Sequence, residues 1–239
     1  MIRKTVILLC LTLKLTLLSA QNSFHGNFLM SFRSAAGSDQ DAALLWNIQS
    51  ALDGGKMAME ILDDMKIKGV TKRVLFNPAD STWTMTMEYV NSKVGTRIHA
   101  AAMFRDTMKV QKIKMKTSGG RRIIDGYRCK KIILESDDYL SEVWLTDQFT
   151  FDLCYISKLV THCGLMSDYV RHGDWFNWKN TKGMILEVTS TKKKTGESYT
   201  MNISEVKAVE VSQAFFNTSG FKISEIPEGQ NCGAGLEGK

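Results

Sequence analysis

Strict alternation of apolar and polar residues is the feature that most restricts how this chain folds. In TWTMTMEY, residues 82–89, Trp83, Met85, Met87 and Tyr89 point one way and Thr82, Thr84, Thr86 and Glu88 the other. A period of two marks a strand with one buried and one wet face, because successive side chains project to opposite sides. NFLMSF repeats the pattern with Phe28, Met30 and Phe32, and SYTMNI with Tyr199, Met201 and Ile203. In KIKMK, Lys112, Lys114 and Lys116 alternate with Ile113 and Met115. Such alternation belongs to antiparallel sheets solvated on one side. Turn-forming clusters separate the runs: NPADS at 77–81, SGG at 118–120, ESDD at 135–138 and KKTGE at 193–197.

Two segments carry helical signals. SDQDAALLWNIQSALDGG opens on a Ser38-x-x-Asp41 capping pattern, sets Leu44, Leu45, Ile48 and Leu52 on one stripe, and closes at Gly54-Gly55. DLCYISKLVTHCGLMSDYVR, residues 152–171, reads as a second helix, with Gly164 inside it. The expected class is α+β, a curved antiparallel sheet with helices covering its concave side.

The N-terminus, MIRKTVILLCLTLKLTLLSAQ, has Arg3 and Lys4 before an apolar run and LSA before Gln21. That is the layout of a signal peptide over residues 1–20. Lys14 interrupts the run, and a membrane span needs about 20 mostly apolar residues, so the segment is not read as an anchor. Cys10 follows Leu9 rather than a small residue, so it is not read as a lipidation site. No later segment is apolar enough to span a bilayer. A single domain is expected over 21–230, with a helical insertion at about 147–182 and a flexible tail at 231–239. The net charge of +6 falls to about +3 without the signal, too mild to imply nucleic acid.

Four cysteines remain after cleavage: Cys129, Cys154, Cys163 and Cys232. Four cysteines allow three full pairings in an oxidising compartment. On one straight helix Cys154 and Cys163 would stand about 13.5 Å apart, beyond the roughly 7 Å that a disulfide spans. They pair only if that helix starts late or breaks, and Cys232 is the more adaptable partner. Cys154, His162, Cys163 and His172 form no C-x-x-C or H-x-x-x-H pattern, and no metal is expected. Cys129 lies in GYRCKK between cations that favour a thiolate, but no histidine is near in sequence; it reads as a partly buried strand residue.

No residue is read as catalytic and no cofactor is expected. STKK and KTG overlap within 190–196 and fit a hairpin turn, whereas the enzymes that use both place them far apart. Asp63-Asp64 and Asp137-Asp138 sit at turn-like edges as solvated charges. Lys112, Lys114, Lys116, Arg121 and Arg122 form a cationic strand: a solvated face by default, or a contact for anionic headgroups or an acidic partner. Phe28, Met30, Phe32, Trp83, Met85, Met87 and Tyr89 would line the apolar side of the sheet, either as ordinary core or as the wall of a ligand cavity.

Several of these motifs occur in a recognisable order: IIDGYRCKKIILESDDYLSEVWLTDQF, then KGMILEVTS, then FKISEIPEG. With Gly126, Tyr127 and Cys129, then Val143, Trp144 and Thr146, then Gly183, Leu186 and Glu187, then Phe221, Pro227 and Gly229, the chain resembles the envelope proteins grouped as domain of unknown function 4412. KGVTKRVLFN upstream resembles that family's basic strand, and the likeness covers most of 56–230. The chain differs in its early helical segment, its three additional cysteines, and the 147–182 insertion with Trp175 and Trp178. The resemblance implies an architecture like that of the periplasmic lipoprotein carriers of Gram-negative bacteria, a half-open barrel around an apolar hollow, and no assigned activity. The function it implies is a non-enzymatic exported protein, in the periplasm or associated with the outer envelope, that holds a lipid, acyl chain or acylated protein. The alternative is a protein- or glycan-binding module that uses the 147–182 insertion. A thiol-based activity at Cys129 is a third reading. The residues leave the oligomeric state open.

Overall fold

A computed structural model describes residues 24–35, 43–62, 69–99, 114–149 and 183–226. These form one sheet of twelve strands: β1 (Gly26–Ala35), β2 (Ala43–Asp53), β3 (Lys56–Ile61), β4 (Thr71–Asn77), β5 (Thr82–Tyr89), β6 (Ser92–His99), β7 (Lys114–Ile124), β8 (Tyr127–Glu135), β9 (Tyr139–Thr146), β10 (Met184–Lys192), β11 (Ser198–Lys207) and β12 (Lys222–Ile226). The spatial order is β12-β6-β5-β4-β3-β2-β1-β11-β10-β9-β8-β7. Two up-and-down runs therefore meet at β1. β1 to β6 step outward on one side. β7 to β11 step inward from the far edge until β11 pairs with β1. All pairs are antiparallel except β12 with β6. The sheet is open, with β12 and β7 at its two ends.

The register builds one apolar face from the alternation. Phe32 lies opposite Met201 and Met30 opposite Ile203. Across β2 to β5 the same side carries Ile48, Leu52, Met57, Met59, Val74, Phe76, Trp83 and Met85. On the other arm it carries Val188, Val143, Ile132 and Leu134. All of these except the half-buried Met85 are buried in one cluster, which Met85 packs against.

The sheet curls. The β7–β8 turn and the end of β11 are three strands apart, about 14 Å in a flat sheet. Yet Asp125 Oδ2 accepts a hydrogen bond from the Val206 N–H at 2.6 Å, and the Tyr127 hydroxyl donates to the Val206 carbonyl at 3.4 Å. Phe149 packs edge-on against both Phe24, just before β1, and Tyr127 of β8, each at 5.2 Å between ring centroids.

Three sequence expectations are corrected. Most of the segment read as the early helix is strand β2, so the class is nearly all-β, and among the described residues no helix covers the concave side. The stripe of Ile48 and Leu52 is also a period-two pattern through Ser50. β2 sits between β1 and β3, where pairing on both edges satisfies its backbone and outweighs helix propensity. Gly54-Gly55, read as a helix stop, is the two-residue hairpin turn between β2 and β3, with φ of 56° and 81°. Secondly, SGG at 118–120 is not a turn between strands. It lies inside β7, where the register with β8 shifts between Thr117 and Arg121. Thirdly, the polar side of β5 is not wet: Thr82, Thr84 and Thr86 are buried. The segment from β11 to β12 crosses this outer face. Val211, Phe215 and Phe216, around a 3-10 turn at Gln213–Phe216, pack with Ala51, Ala58 and Leu75.

The expected signal peptide at 1–20, the second helix at 152–171, most of the 147–182 insertion and the 231–239 tail lie outside the described residues. Among the described residues no helix is long and apolar enough to cross a membrane.

The curl makes a stability prediction. Asp125→Gly keeps the positive-φ turn but removes the acceptor for Val206, and should cost about 1–3 kcal/mol in denaturant unfolding. Phe28→Ala, at a fully buried position, should cost about 3–5 kcal/mol. Equal and negligible losses in both variants would contradict the arrangement.

Candidate functional site

All seven candidate lining residues lie on the inner side by register, and they differ in burial. Phe28, Met30, Phe32 and Trp83 are buried, Trp83 at 0% exposure. Met85 and Met87 are half-buried, and Tyr89 at the strand end is 39% exposed. The Tyr89 hydroxyl contacts Met87 Sδ at 3.6 Å. The sheet thus brings Phe28, Met30 and Phe32 of β1 into one cluster with Trp83 of β5, whose ring tilts against Phe76 at 4.5 Å.

Polar atoms on this inner face are of two kinds. Ser141 and Ser190, opposite each other on β9 and β10, share a hydroxyl hydrogen bond of 2.7 Å. Ser50 Oγ and the Trp83 indole N–H are buried with no hydrogen-bond partner among the described residues. A buried polar group left unpaired costs about 1–3 kcal/mol, so these two atoms mark where the inner face would welcome a polar contact.

A second feature lies at the far edge of the sheet. A cleft of ≈ 500 Å³ is lined by Arg121, Arg122 and Ile123 of β7, Arg128, Cys129 and Lys130 of β8, and Leu145 and Asp147 at the end of β9. The hairpin that builds it turns at Asp125-Gly126, with φ of 50° and 82°, the conformation of a two-residue hairpin loop. This loop fixes the register: Ile123 opposite Arg128, Arg122 opposite Cys129, and Arg121 opposite Lys130. Arg122 is held on Trp144, 4.2 Å above the ring, and pairs with Glu187 at 2.5 Å. Lys130 reaches Asp147 at 3.9 Å. Among the described residues Arg121 and Arg128 meet no carboxylate.

Cys129 forms part of this cleft yet is only 3% exposed and carries no disulfide. Its thiol donates to the Tyr127 carbonyl at 3.5 Å. Burial pushes the thiol above its ordinary pKa, against the opposing effects of the Ile124 backbone and the Arg122 charge. A raised pKa keeps the sulfur as the poorly nucleophilic thiol. The sequence reading of a buried strand cysteine describes its place. Its neighbours Arg121, Arg128 and Lys130 were not read as one group. The dipeptide Asp125-Gly126 could have shown it, since a two-residue loop dictates which residues face each other. Among the described residues no group of histidine, cysteine and acidic side chains is arranged to hold a metal. Cys154, His162, Cys163, His172, Trp175, Trp178 and Cys232 lie outside the described residues.

No family model matches this sequence, domain of unknown function 4412 included, and no curated protein matches it. Several solved structures align with it loosely. PNGF-II aligns at a TM-score of 0.42 and 16% identity over 84% of this chain, which spans only 31% of the PNGF-II chain. A DUF1329 family protein from Desulfovibrio piger aligns at 0.25 and 11% identity, over 83% of this chain and 91% of its own. A domain described as an outer membrane lipoprotein-sorting protein from Vibrio parahaemolyticus aligns at 0.22 and 10%, over 83% and 92%. Overlaps this loose do not carry binding partners or activity from those proteins to this one.

The state of Cys129 is directly measurable. Peptide mapping after iodoacetamide treatment at neutral pH should show Cys129 unmodified in the native protein and fully modified in guanidinium. Rapid native labelling would mean an accessible thiolate and restore the thiol-chemistry reading.

Proposed function

We propose that this chain is a non-catalytic, exported envelope protein that holds a lipid, acyl chain or acylated protein against the inner face of its curled sheet. The single observation that carries this is the inner face itself. It is apolar from β5 across to β8, rich in Met and aromatic side chains, and holds two buried polar atoms, Ser50 Oγ and Trp83 Nε1, that have no hydrogen-bond partner among the described residues. Methionine and aromatic rings adapt to apolar guests of variable shape, and ligand sites combine such walls with a few polar groups. A carboxyl, ester or hydroxyl on the guest would supply acceptors for the indole N–H. Export is supported by the N-terminal charge-and-apolar pattern.

The test is native mass spectrometry and solvent extraction of the purified protein, followed by titration with a brominated fatty acid that quenches nearby tryptophan. A stoichiometric apolar guest, and quenching that weakens in Trp83→Phe, are the expected results. A protein that carries no guest, and whose fluorescence the brominated acid leaves unchanged, would show that the inner face is core alone.

A further inference from the structure

We propose that the cleft between β7, β8 and the end of β9 is an anion-binding site for a phosphate or similar oxyanion group, either free or carried as a lipid headgroup. The proposal stands whether or not the inner face holds an apolar guest.

The hairpin places Arg121 directly opposite Lys130. Arg128 lies two residues from Lys130 and opposite Ile123, so strand alternation sets Arg121, Ile123, Arg128 and Lys130 on one side. Like charges directly opposite each other on paired strands repel and destabilise the pair. Elsewhere on this arm the fold neutralises its cations. Arg122 has Glu187, Lys131 has Glu142 at 2.7 Å, and Lys193 has Glu135 at 3.0 Å. Among the described residues the only carboxylate in the cleft is Asp147, exposed and 3.9 Å from Lys130. Arg121, Arg128 and Lys130 therefore share one acid among the described residues, and the two arginines that meet no carboxylate there are the residues whose planar, multi-donor heads suit oxyanions best.

The shape agrees with the charge. The cations line a cleft of ≈ 500 Å³, within the range of small-ligand sites. Cys129 and Leu145 in its wall also belong to the apolar cluster. A low-dielectric wall strengthens the attraction of the neighbouring cations for an anion relative to the same charges on an open surface. Lys114 and Lys116 provide the contrast. They lie on the same strand and are exposed, but they do not line the cleft, and Lys116 reaches Glu135.

The experiment uses the full chain and three forms of it: Arg121→Gln with Arg128→Gln, Arg121→Lys with Arg128→Lys, and Lys114→Gln with Lys116→Gln. Each binds, by calorimetry, inorganic phosphate and a monomeric lysophosphatidate, and, by co-sedimentation, phosphatidylcholine vesicles with and without phosphatidylglycerol. Thermal melts verify that all three forms fold; the double Lys form keeps the charge if the double Gln form does not. The site predicts about tenfold or greater loss of affinity in the double Gln form. The double Lys form should lose less, and the Lys114/Lys116 form should stay within about twofold of the parent. Binding of inorganic phosphate identifies a free oxyanion as sufficient; binding of lysophosphatidate or phosphatidylglycerol vesicles alone identifies a headgroup. No binding to any probe, or equal losses in both Gln forms, overturns the proposal.

Discussion

A single sheet has two faces, and the cost of leaving an apolar one in water governs this structure. The inner side chains from β5 to β8 form one cluster, and each belongs there only because its strand pairs in one register. A slip of one residue would turn every inner methionine and aromatic ring outward. The curl follows from the same need, since bending brings side chains from distant strands together around a shared interior. The bonds from Asp125 and Tyr127 to Val206 close that bend with backbone partners. On the outer side, the connection from β11 to β12 covers β2 to β4 with Val211, Phe215 and Phe216. It delivers β12 to pair with β6, and there Gly95 leaves the space that Ile223 occupies, since a Cβ would lie 2.6 Å from its Cδ1.

The far edge obeys a different rule. β7 is the last strand in the order, with most of its residues exposed and Lys114, Lys116, Arg121 and Arg122 along it. Cations on an edge strand discourage pairing with a second copy, because like charges would be brought together. That accounts for the lysines, which stand in solvent. It does not account for Arg121 facing Lys130 within the molecule, which the tight Asp125-Gly126 loop enforces. The same edge thus combines a defence against self-association with a cluster of charge that the fold does not neutralise.

The alternation in β1, β5 and β11 was legible from residue types, as were the hairpin turns at 77–81 and 193–197. So was the place of Cys129 in a strand. β2 was not, because the i, i+4 spacing of Ile48 and Leu52 satisfies a helical period and a strand period alike in so short a run. Its pairing with β1 and β3 on both edges decided the matter. The burial of Thr82, Thr84 and Thr86 was hidden for a similar reason. Polar residues on alternate positions suggest a wet face until a distant segment is laid over them.

By itself, then, the sequence determined that most of this chain is antiparallel strand with one greasy side, because period-two patterning is a property of neighbouring residues and needs nothing else. It also held the pairing across the Asp125-Gly126 loop, since two residues leave only one way to face the strands. Tertiary structure alone decided the strand order, the placing of β11 beside β1, and the burial of Ser50 and Trp83. The pairing of β1 with β11 joins residues more than a hundred positions apart, and no local pattern encodes its free energy.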